Sequence, residues 1–286
     1  MKINKLSPQG FCSGVKYSLK LLDEAINNNN TKKPIYILGS IIHNSHVINE
    51  YLKKGIILLE DKEKSKEELL KSIESGTVVF SAHGVKPSLY EIAKNKGLDI
   101  IDAVCPYVKI IHNNIIDYLN KGYDIIYIGV NNHPEAIGVL GISSKIHFIN
   151  NINEISELNI KNNNIYVTNQ TTLSLIEIEE LYNLIKKIYP QAIIDNKICR
   201  STTNRQLAVI NQEPVDLCIV VGDKKSSNTK KLKEASESVG IKSILCEDYE
   251  SLDKASLDKI ESISITSGAS TPDYLVDEII EKIKML

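Results

Sequence analysis

D-I-I-D-A-V-C-P-Y-V-K-I-I-H-N-N-I-I-D-Y-L-N-K-G-Y-D-I-I-Y-I-G-V, residues 99–130, holds a short apolar run, a cysteine, a helix-like segment and a second apolar run. Short apolar runs flanked by turn residues read as buried strands, and the longer amphipathic stretch between them as a helix. The same unit occurs twice more. Cys12 precedes V-K-Y-S-L-K-L-L-D-E-A-I and then I-Y-I-L-G, and Cys199 precedes T-T-N-R-Q-L-A-V-I and then D-L-C-I-V-V-G. Cys12, Cys105 and Cys199 lie 93 and 94 residues apart, close to one-third of a 286-residue chain. Each third continues through a short strand (I-I-L-L-E, K-I-H-F-I, S-I-L-C-E) and a longer one (T-V-V-F-S-A-H-G, N-I-Y-V-T-N-Q-T, S-I-S-I-T-S-G-A). In the first two thirds a last strand leads into the next cysteine, whereas the third ends without one. M-K-I-N-K-L-S, ahead of Cys12, is the natural segment to supply it.

An internal repeat of this kind decides the architecture. The expected fold is α/β, with three similar lobes in a pseudo-three-fold arrangement. Their bounds are residues 13–104, 105–198 and 199–286, the third completed by the N-terminal strand 1–12. Alternating strands and helices imply parallel sheets, with ligands gathered at the strands' carboxyl ends. First-strand ends carry His43, His133 and Ser226, at offsets of 31, 28 and 27 from their cysteines. The later strands end at His83, Thr171 and Ser270, at offsets of 71, 66 and 71. Three cysteines and two rings of polar residues thus recur at matching places, as a central site requires.

Three thiolates from three lobes suit zinc or an iron–sulfur cluster. Structural zinc wants four close ligands. A cubane cluster usually takes four cysteines, and supplying three leaves one iron open as a Lewis acid. Gly10 and Gly14 frame Cys12 and permit close backbone approach. Cys218 and Cys246 lie inside apolar runs and read as packed thiols. Ser226, Ser227 and Asn228, Thr171 and Thr172, and Ser270 and Thr271 ahead of Pro272 are residue types that open helices. Helix N-termini aimed at one cavity suit phosphate oxygens. His112 and His147 read as structural or surface residues, and His46 as a supporting one. Glu135 reads either as a residue that stabilises a helix start or, near a reducing centre, as a proton donor of raised pKa. Lys224, Lys225, Lys230, Lys231 and Lys233 read as a solvated face, with the docking of an acidic electron carrier as the functional alternative.

Composition is that of a soluble globular protein, 42% apolar and 24% charged with net charge −2, and gives no basic footprint for nucleic acid. No apolar run approaches a bilayer span, and the start M-K-I-N-K-L-S-P-Q-G lacks a signal peptide's apolar core. A cytoplasmic protein, with no nucleic-acid or membrane partner, is expected. Five cysteines without C-x-x-C argue against both a disulfide framework and a zinc knuckle.

The segments G-F-C-S-G-V, I-H-N, S-A-H-G-V, C-P-Y-V, H-P-E-A-I-G, Q-T-T-L-S, C-R-S-T-T-N-R-Q, S-S-N-T and G-A-S-T-P run in order from residue 10 to 272. In these the chain resembles the 4-hydroxy-3-methylbut-2-enyl diphosphate reductase family, the last enzymes of the non-mevalonate isoprenoid pathway. Departures at Val104 and Ser201 touch no ligand position, and the further C-terminal domain of some relatives is not expected. The resemblance implies a 4Fe-4S cluster on Cys12, Cys105 and Cys199, whose fourth iron binds the substrate's allylic hydroxyl. It implies diphosphate binding by His43, His83, His133, Ser226, Ser227, Asn228 and Ser270. Glu135 would donate protons, with Thr171 relaying them or positioning the hydroxyl, and ferredoxin or flavodoxin would supply electrons. Rival readings are a quinolinate synthase-like cluster enzyme and a non-catalytic iron–sulfur redox sensor. The first acts on carboxylates, and the second needs neither anion-binding caps nor an acid.

Overall fold

The computed structural model describes residues 1–61 and 63–285; Lys62 and Leu286, the last residue of the expected third lobe, lie outside the described residues. Each apolar run read from the sequence forms a strand. The elements begin with β1 (Lys2–Lys5), α1 (Ser13–Asn27), β2 (Ile35–Leu38), α2 (Ser45–Lys53), β3 (Ile57–Leu59), α3 (Lys66–Ser72), β4 (Thr77–Phe80), α4 (Pro87–Asn95) and β5 (Asp99–Asp102). The next are α5 (Pro106–Asn120), β6 (Asp124–Ile128), α6 (Pro134–Leu140), β7 (Ile146–Ile149), β8 (Ile165–Asn169), α7 (Leu175–Ile188) and β9 (Ile193–Ile194). The chain ends with α8 (Arg200–Ile210), β10 (Leu217–Val221), α9 (Ser227–Ser238), β11 (Ser243–Cys246), β12 (Ser262–Ser267) and α10 (Asp273–Lys284). Where the first lobe places α3, the other two have only short 3₁₀ segments, Ile152–Glu157 and Lys254–Leu257. α3 itself buries only Leu70, and what distinguishes it is the capping box that Ser65 and Glu68 form at its start.

Three four-stranded sheets result, ordered β3-β2-β4-β5, β7-β6-β8-β9 and β11-β10-β12-β1. Every pairing is parallel. In the third sheet β1 aligns Lys2 to Lys5 with Ser262 to Ile265, so the chain's beginning closes the sheet of its end. Central strands β4, β8 and β10 are buried at every residue, because helices cover both faces, whereas edge strands β1, β3 and β5 are half-exposed.

The shared order fixes the site. In the first two sheets the two central strands send their connections to opposite edges, and in the third β1 takes the edge place beside β12. In each, a crevice therefore opens between the central strands' carboxyl ends, the topological switch point of a doubly wound sheet. His43 and His83 follow β2 and β4, His133 and Thr171 follow β6 and β8, and Ser226 and Ser270 follow β10 and β12. The fourth strand of each sheet leads to a cysteine and its helix: β5 to Cys105, β9 to Cys199 and β1 to Cys12. Among the described residues no helix is long and apolar enough to cross a membrane.

Ile265 is fully buried on β12, between β10 and the chain-closing β1. Ile265→Ala should therefore lower the unfolding free energy by about 2–5 kcal/mol, measured as a shifted urea midpoint. A variant as stable as the parent would mean that this seam carries little of the core.

Candidate active site

Cys12, Cys105 and Cys199 each occupy the capping position of a long helix, α1, α5 and α8. The Val15 N–H donates to Cys12 Sγ at 3.4 Å, and Cys199 Sγ lies 3.3 Å from Thr202 Oγ1. A Cβ on Gly14 would overlap Cys105 Sγ and come within 3.8 Å of Cys12 Sγ, so only glycine fits there. None of these helices has an acidic residue in its first turn, the place where acids otherwise stabilise a helix. All five cysteines are free, but Cys218 and Cys246 are buried whereas the three capping cysteines are only partly so. Burial pushes the Cys105 thiol up to about 11 and raises Cys199 as well, and the neighbouring Cys12 adds to both.

Bare thiolates therefore oppose one another here, and a cation among them reverses the balance. Among the described residues no three His, Cys, Asp or Glu side chains close around a single-ion position. Three thiols, one from the start of each of three long helices, are nonetheless a soft donor set of the kind that metal–sulfur groups take.

One cavity of about 110 Å³ joins these cysteines to His43, His83, His133, Glu135, Thr171, Ser226, Ser227, Asn228 and Ser270. Every candidate residue read from the sequence lines it. A larger open cleft of about 1080 Å³ lies by α1 and α2, around Phe11, Tyr51 and Tyr274, and is lined by none of them. The candidate residues gather in the smaller, better enclosed space.

The three imidazoles form a triangle with ring centroids 4.4, 5.9 and 6.1 Å apart. Burial depresses all three: His133 falls to about 3, His83 lies well below the ordinary value, and His43 is lowered less because Asp223 opposes the shift. The Glu135 N–H donates to His133 Nδ1 at 3.1 Å. That nitrogen must remain unprotonated, so neutral His133 carries its hydrogen on Nε2. His43 Nε2 is buried without a partner.

Glu135, in the first turn of α6, is 2% exposed. The Thr171 N–H donates to Oε1 at 2.8 Å and its hydroxyl donates to Oε2 at 2.9 Å. Burial raises the carboxyl to about 7 against the lowering effect of these bonds. Thr171 is not a helix cap as the sequence suggested. Ser174 caps α7, three residues later, which leaves Thr171 free to hold Glu135.

Ser226 caps α9 by accepting the Thr229 N–H at 3.3 Å, and its own O–H remains free. Ser227 donates to Thr172 O at 3.4 Å and Ser270 to His43 O at 2.8 Å, both across lobes. Asn228 accepts the Ala269 N–H at 2.9 Å and donates to Thr202 Oγ1 at 3.4 Å. Pro272 stands at the capping position of α10 rather than inside its first turn.

Two lining residues and one buried neighbour of Glu135 escaped the sequence reading. Thr202 stands beside Cys199, where its place three residues past that cysteine was the available signal. Tyr107 lines the cavity two residues past Cys105. Tyr127 is fully buried and sets its phenol toward Glu135, although the geometry falls short of a hydrogen bond; nothing in a strand pattern marks it. His112 is half-buried with Nε2 unpartnered, His147 pairs with Asp124 at 3.3 Å and His46 with Asp248 at 2.9 Å. Of the lysine group, Lys231 and Lys233 are drawn into ion pairs with Glu177, Glu234 and Glu237 rather than standing free in solvent.

Three matched α/β lobes, each bringing a cysteine at the start of a long helix to one cavity, define the class as a three-lobed, cysteine-centred α/β protein. The family model described as LytB protein matches residues 3–284, and the chain belongs to that family. It is similar to the 4-hydroxy-3-methylbut-2-enyl diphosphate reductases of Halalkalibacterium halodurans, at 39% identity over 98% of this chain and 90% of that one, and of Bacillus subtilis, at 38% over 98% and 90%. Among solved structures it resembles the E-1-hydroxy-2-methyl-but-2-enyl-4-diphosphate reductase of Plasmodium falciparum, with TM-score 0.90, 33% identity and coverage of 100% and 87%. A second, titled (E)-4-hydroxy-3-methyl-but-2-enyl diphosphate reductase, the terminal enzyme of the non-mevalonate pathway, gives TM-score 0.68 at 30% identity over the whole of both chains.

The capping bond to His133 has a measurable consequence. Histidine nitrogen NMR of the cluster-free protein should show His133 as the neutral Nε2–H tautomer even about a pH unit below the ordinary imidazole value of roughly 6.5. A doubly protonated His133 under those conditions would mean that the bond from Glu135 N–H is absent.

Proposed function

We propose that this protein is an iron–sulfur oxidoreductase that removes the hydroxyl of 4-hydroxy-3-methylbut-2-enyl diphosphate, giving isopentenyl and dimethylallyl diphosphate. The observation that carries this reading is the meeting of three helix-capping cysteines, a triangle of neutral imidazoles and a buried acid poised near neutrality in one cavity. The relatives' named activity supports it. Cys12, Cys105 and Cys199 would hold a 4Fe-4S cluster. When bound, that group would pass on, one at a time, the two electrons delivered by an external carrier, and would offer an iron without a protein thiolate as Lewis acid toward the hydroxyl. A small one-electron carrier, ferredoxin or flavodoxin, is the proposed donor, and the cytoplasm the proposed location.

The overall change is balanced by two electrons and two protons. A carbon–oxygen bond breaks, a carbon–hydrogen bond forms, and water leaves. The chain's own part is to grip the diphosphate and deliver protons. His133 donates Nε2–H to a phosphate oxygen without carrying charge, because its Nδ1 is engaged. His43 and His83, neutral when the cavity is empty, would rise in pKa beside a multiply charged anion and take up protons. The N-terminus of α9, with Ser226 and Ser227, presents N–H groups and a positive dipole end to the same anion. Asn228 and Ser270 hold these loops in place through Ala269 N–H and His43 O; Asn228 keeps a second amide N–H for the ligand, whereas the Ser270 hydroxyl must give up its bond to His43 O to donate there. Glu135, when protonated, can donate to Thr171 Oγ1, which turns the threonine's own hydrogen toward the cavity. The two form a short relay from a buried acid to the substrate's hydroxyl.

Glu135→Gln keeps the size and the bond from the Thr171 N–H but cannot yield a proton. Iron content and diphosphate binding should survive while turnover falls by about 10²–10⁴. In the parent enzyme kcat should decline as pH rises through about 7, where Glu135 loses its proton. Normal turnover of the glutamine variant, with an intact cluster, would make Glu135 structural and assign the proton elsewhere.

The metal assignment is tested separately. Cys105→Ser should abolish reconstitution of a four-iron cluster, whereas Cys218→Ser and Cys246→Ser should leave iron and sulfide content unchanged. Loss of iron from either of the latter would mean that the buried strand thiols are ligands.

A further inference from the structure

Arg205, on α8 six residues past Cys199, is 2% exposed. Its guanidinium donates only to main-chain carbonyls: Pro8 O at 2.9 Å, Gly10 O at 2.6 Å, Gln9 O at 3.5 Å and Ser267 O at 3.1 Å. Among the described residues it forms no salt bridge with a carboxylate, and its Nε has no partner at all. A buried cation without an ion pair is expensive, and carbonyl dipoles offset only part of that cost. The negative groups whose fields reach it are Cys12, Asp273 and Cys199, with Cys12 first. Two of these three are cysteines that line the central cavity.

The carbonyls that Arg205 holds belong to the turn that leads into Cys12 and to the end of β12. Cys12 N–H itself donates to Ala269 O at 3.0 Å, two residues past Ser267. Gln206, next on α8, reaches the other way. Its amide donates to Leu173 O at 2.8 Å and accepts Leu175 N–H at 3.0 Å, in the second lobe. The helix that Cys199 opens is thereby fixed on both sides, and the Arg205 charge is held against the turn that ends at Cys12, on the same helix that begins at Cys199.

We propose that Arg205 is the fixed counter-charge of the three-thiolate centre, a positioning residue that orients the Cys12 turn and favours the reduced, more negative state of the cluster. The inference rests on the cluster reading given above. A 4Fe-4S core on three thiolates is net negative and gains one more negative charge on reduction. A fixed cation behind the sulfurs stabilises the reduced form more than the oxidised one. Carbonyl contacts alone would hold the turn but would leave the potential unchanged, so the two roles are separable.

The test is an anaerobic redox titration of the cluster-loaded wild type beside Arg205→Lys and Arg205→Gln. Lysine keeps the charge and loses the fork, and glutamine keeps a donor and loses the charge. The lysine variant should reduce within about twofold of the wild-type equilibrium. The glutamine variant should be disfavoured about tenfold, which for one electron is a potential lower by about 59 mV. A glutamine variant with the wild-type potential overturns the proposal, as does a lysine variant shifted as far as glutamine. Should the glutamine variant not fold, lysine decides alone, since a retained potential supports the counter-charge and a tenfold loss overturns it. Wild-type protein that assembles no four-iron cluster removes the functional reading, and this inference falls with it.

Discussion

Thiols packed side by side in a largely buried cavity resist ionisation, and this constraint organises the rest of the molecule. Cys105 and Cys199 are both raised by burial and by their neighbours. The fold counters the penalty in part through position. Each cysteine stands at the N-terminal end of a long helix, where the dipole favours negative charge, and Cys12 Sγ also accepts a first-turn N–H. Acidic residues are absent from those first turns, and a glycine at position 14 lets two of the sulfurs approach. A cation held among the three sulfurs would offset what remains of the penalty, and three lobes of matched topology bring one cysteine each to the cavity where it would sit.

The same topology sets the second ring. Each sheet has its switch point between two central strands, and the residues following those strands become the walls of one cavity. Several of these side chains also join the lobes: Ser270 to the His43 carbonyl, and Ser227 to the Thr172 carbonyl. The groups proposed to grip an anion are therefore held by contacts that depend on the lobes being assembled. The neutral histidine triangle and the raised carboxyl of Glu135 follow from one cause, the burial that assembly produces.

The three-lobed α/β architecture was legible because the repeat is marked by cysteines at nearly equal spacing and by short apolar runs of one length. The cavity's membership was legible too, since strand ends in a doubly wound sheet are where ligands gather, and a family resemblance added roles to particular residues. What the sequence left hidden depends on distant contacts. Thr171 and Thr172 have the residue types of a cap, yet Ser174 is the cap, because local preference does not say which of several hydroxyls the backbone selects. Lys231 looked solvated, but its partner Glu177 lies 54 residues earlier on α7. Arg205 and Tyr127 carry no periodic signature, since one cation inside an amphipathic helix and one phenol inside an apolar strand become informative only when their surroundings are known.

The central claim is that three thiolates hold a four-iron group and leave one iron without a protein sulfur. Mössbauer spectra of anaerobically prepared, cluster-loaded protein test it most directly. One iron in four should be distinguishable from the other three, and its signal should move when the allylic diphosphate is added. Four equivalent irons, zinc in place of iron, or a distinct iron that ignores the substrate would contradict the account.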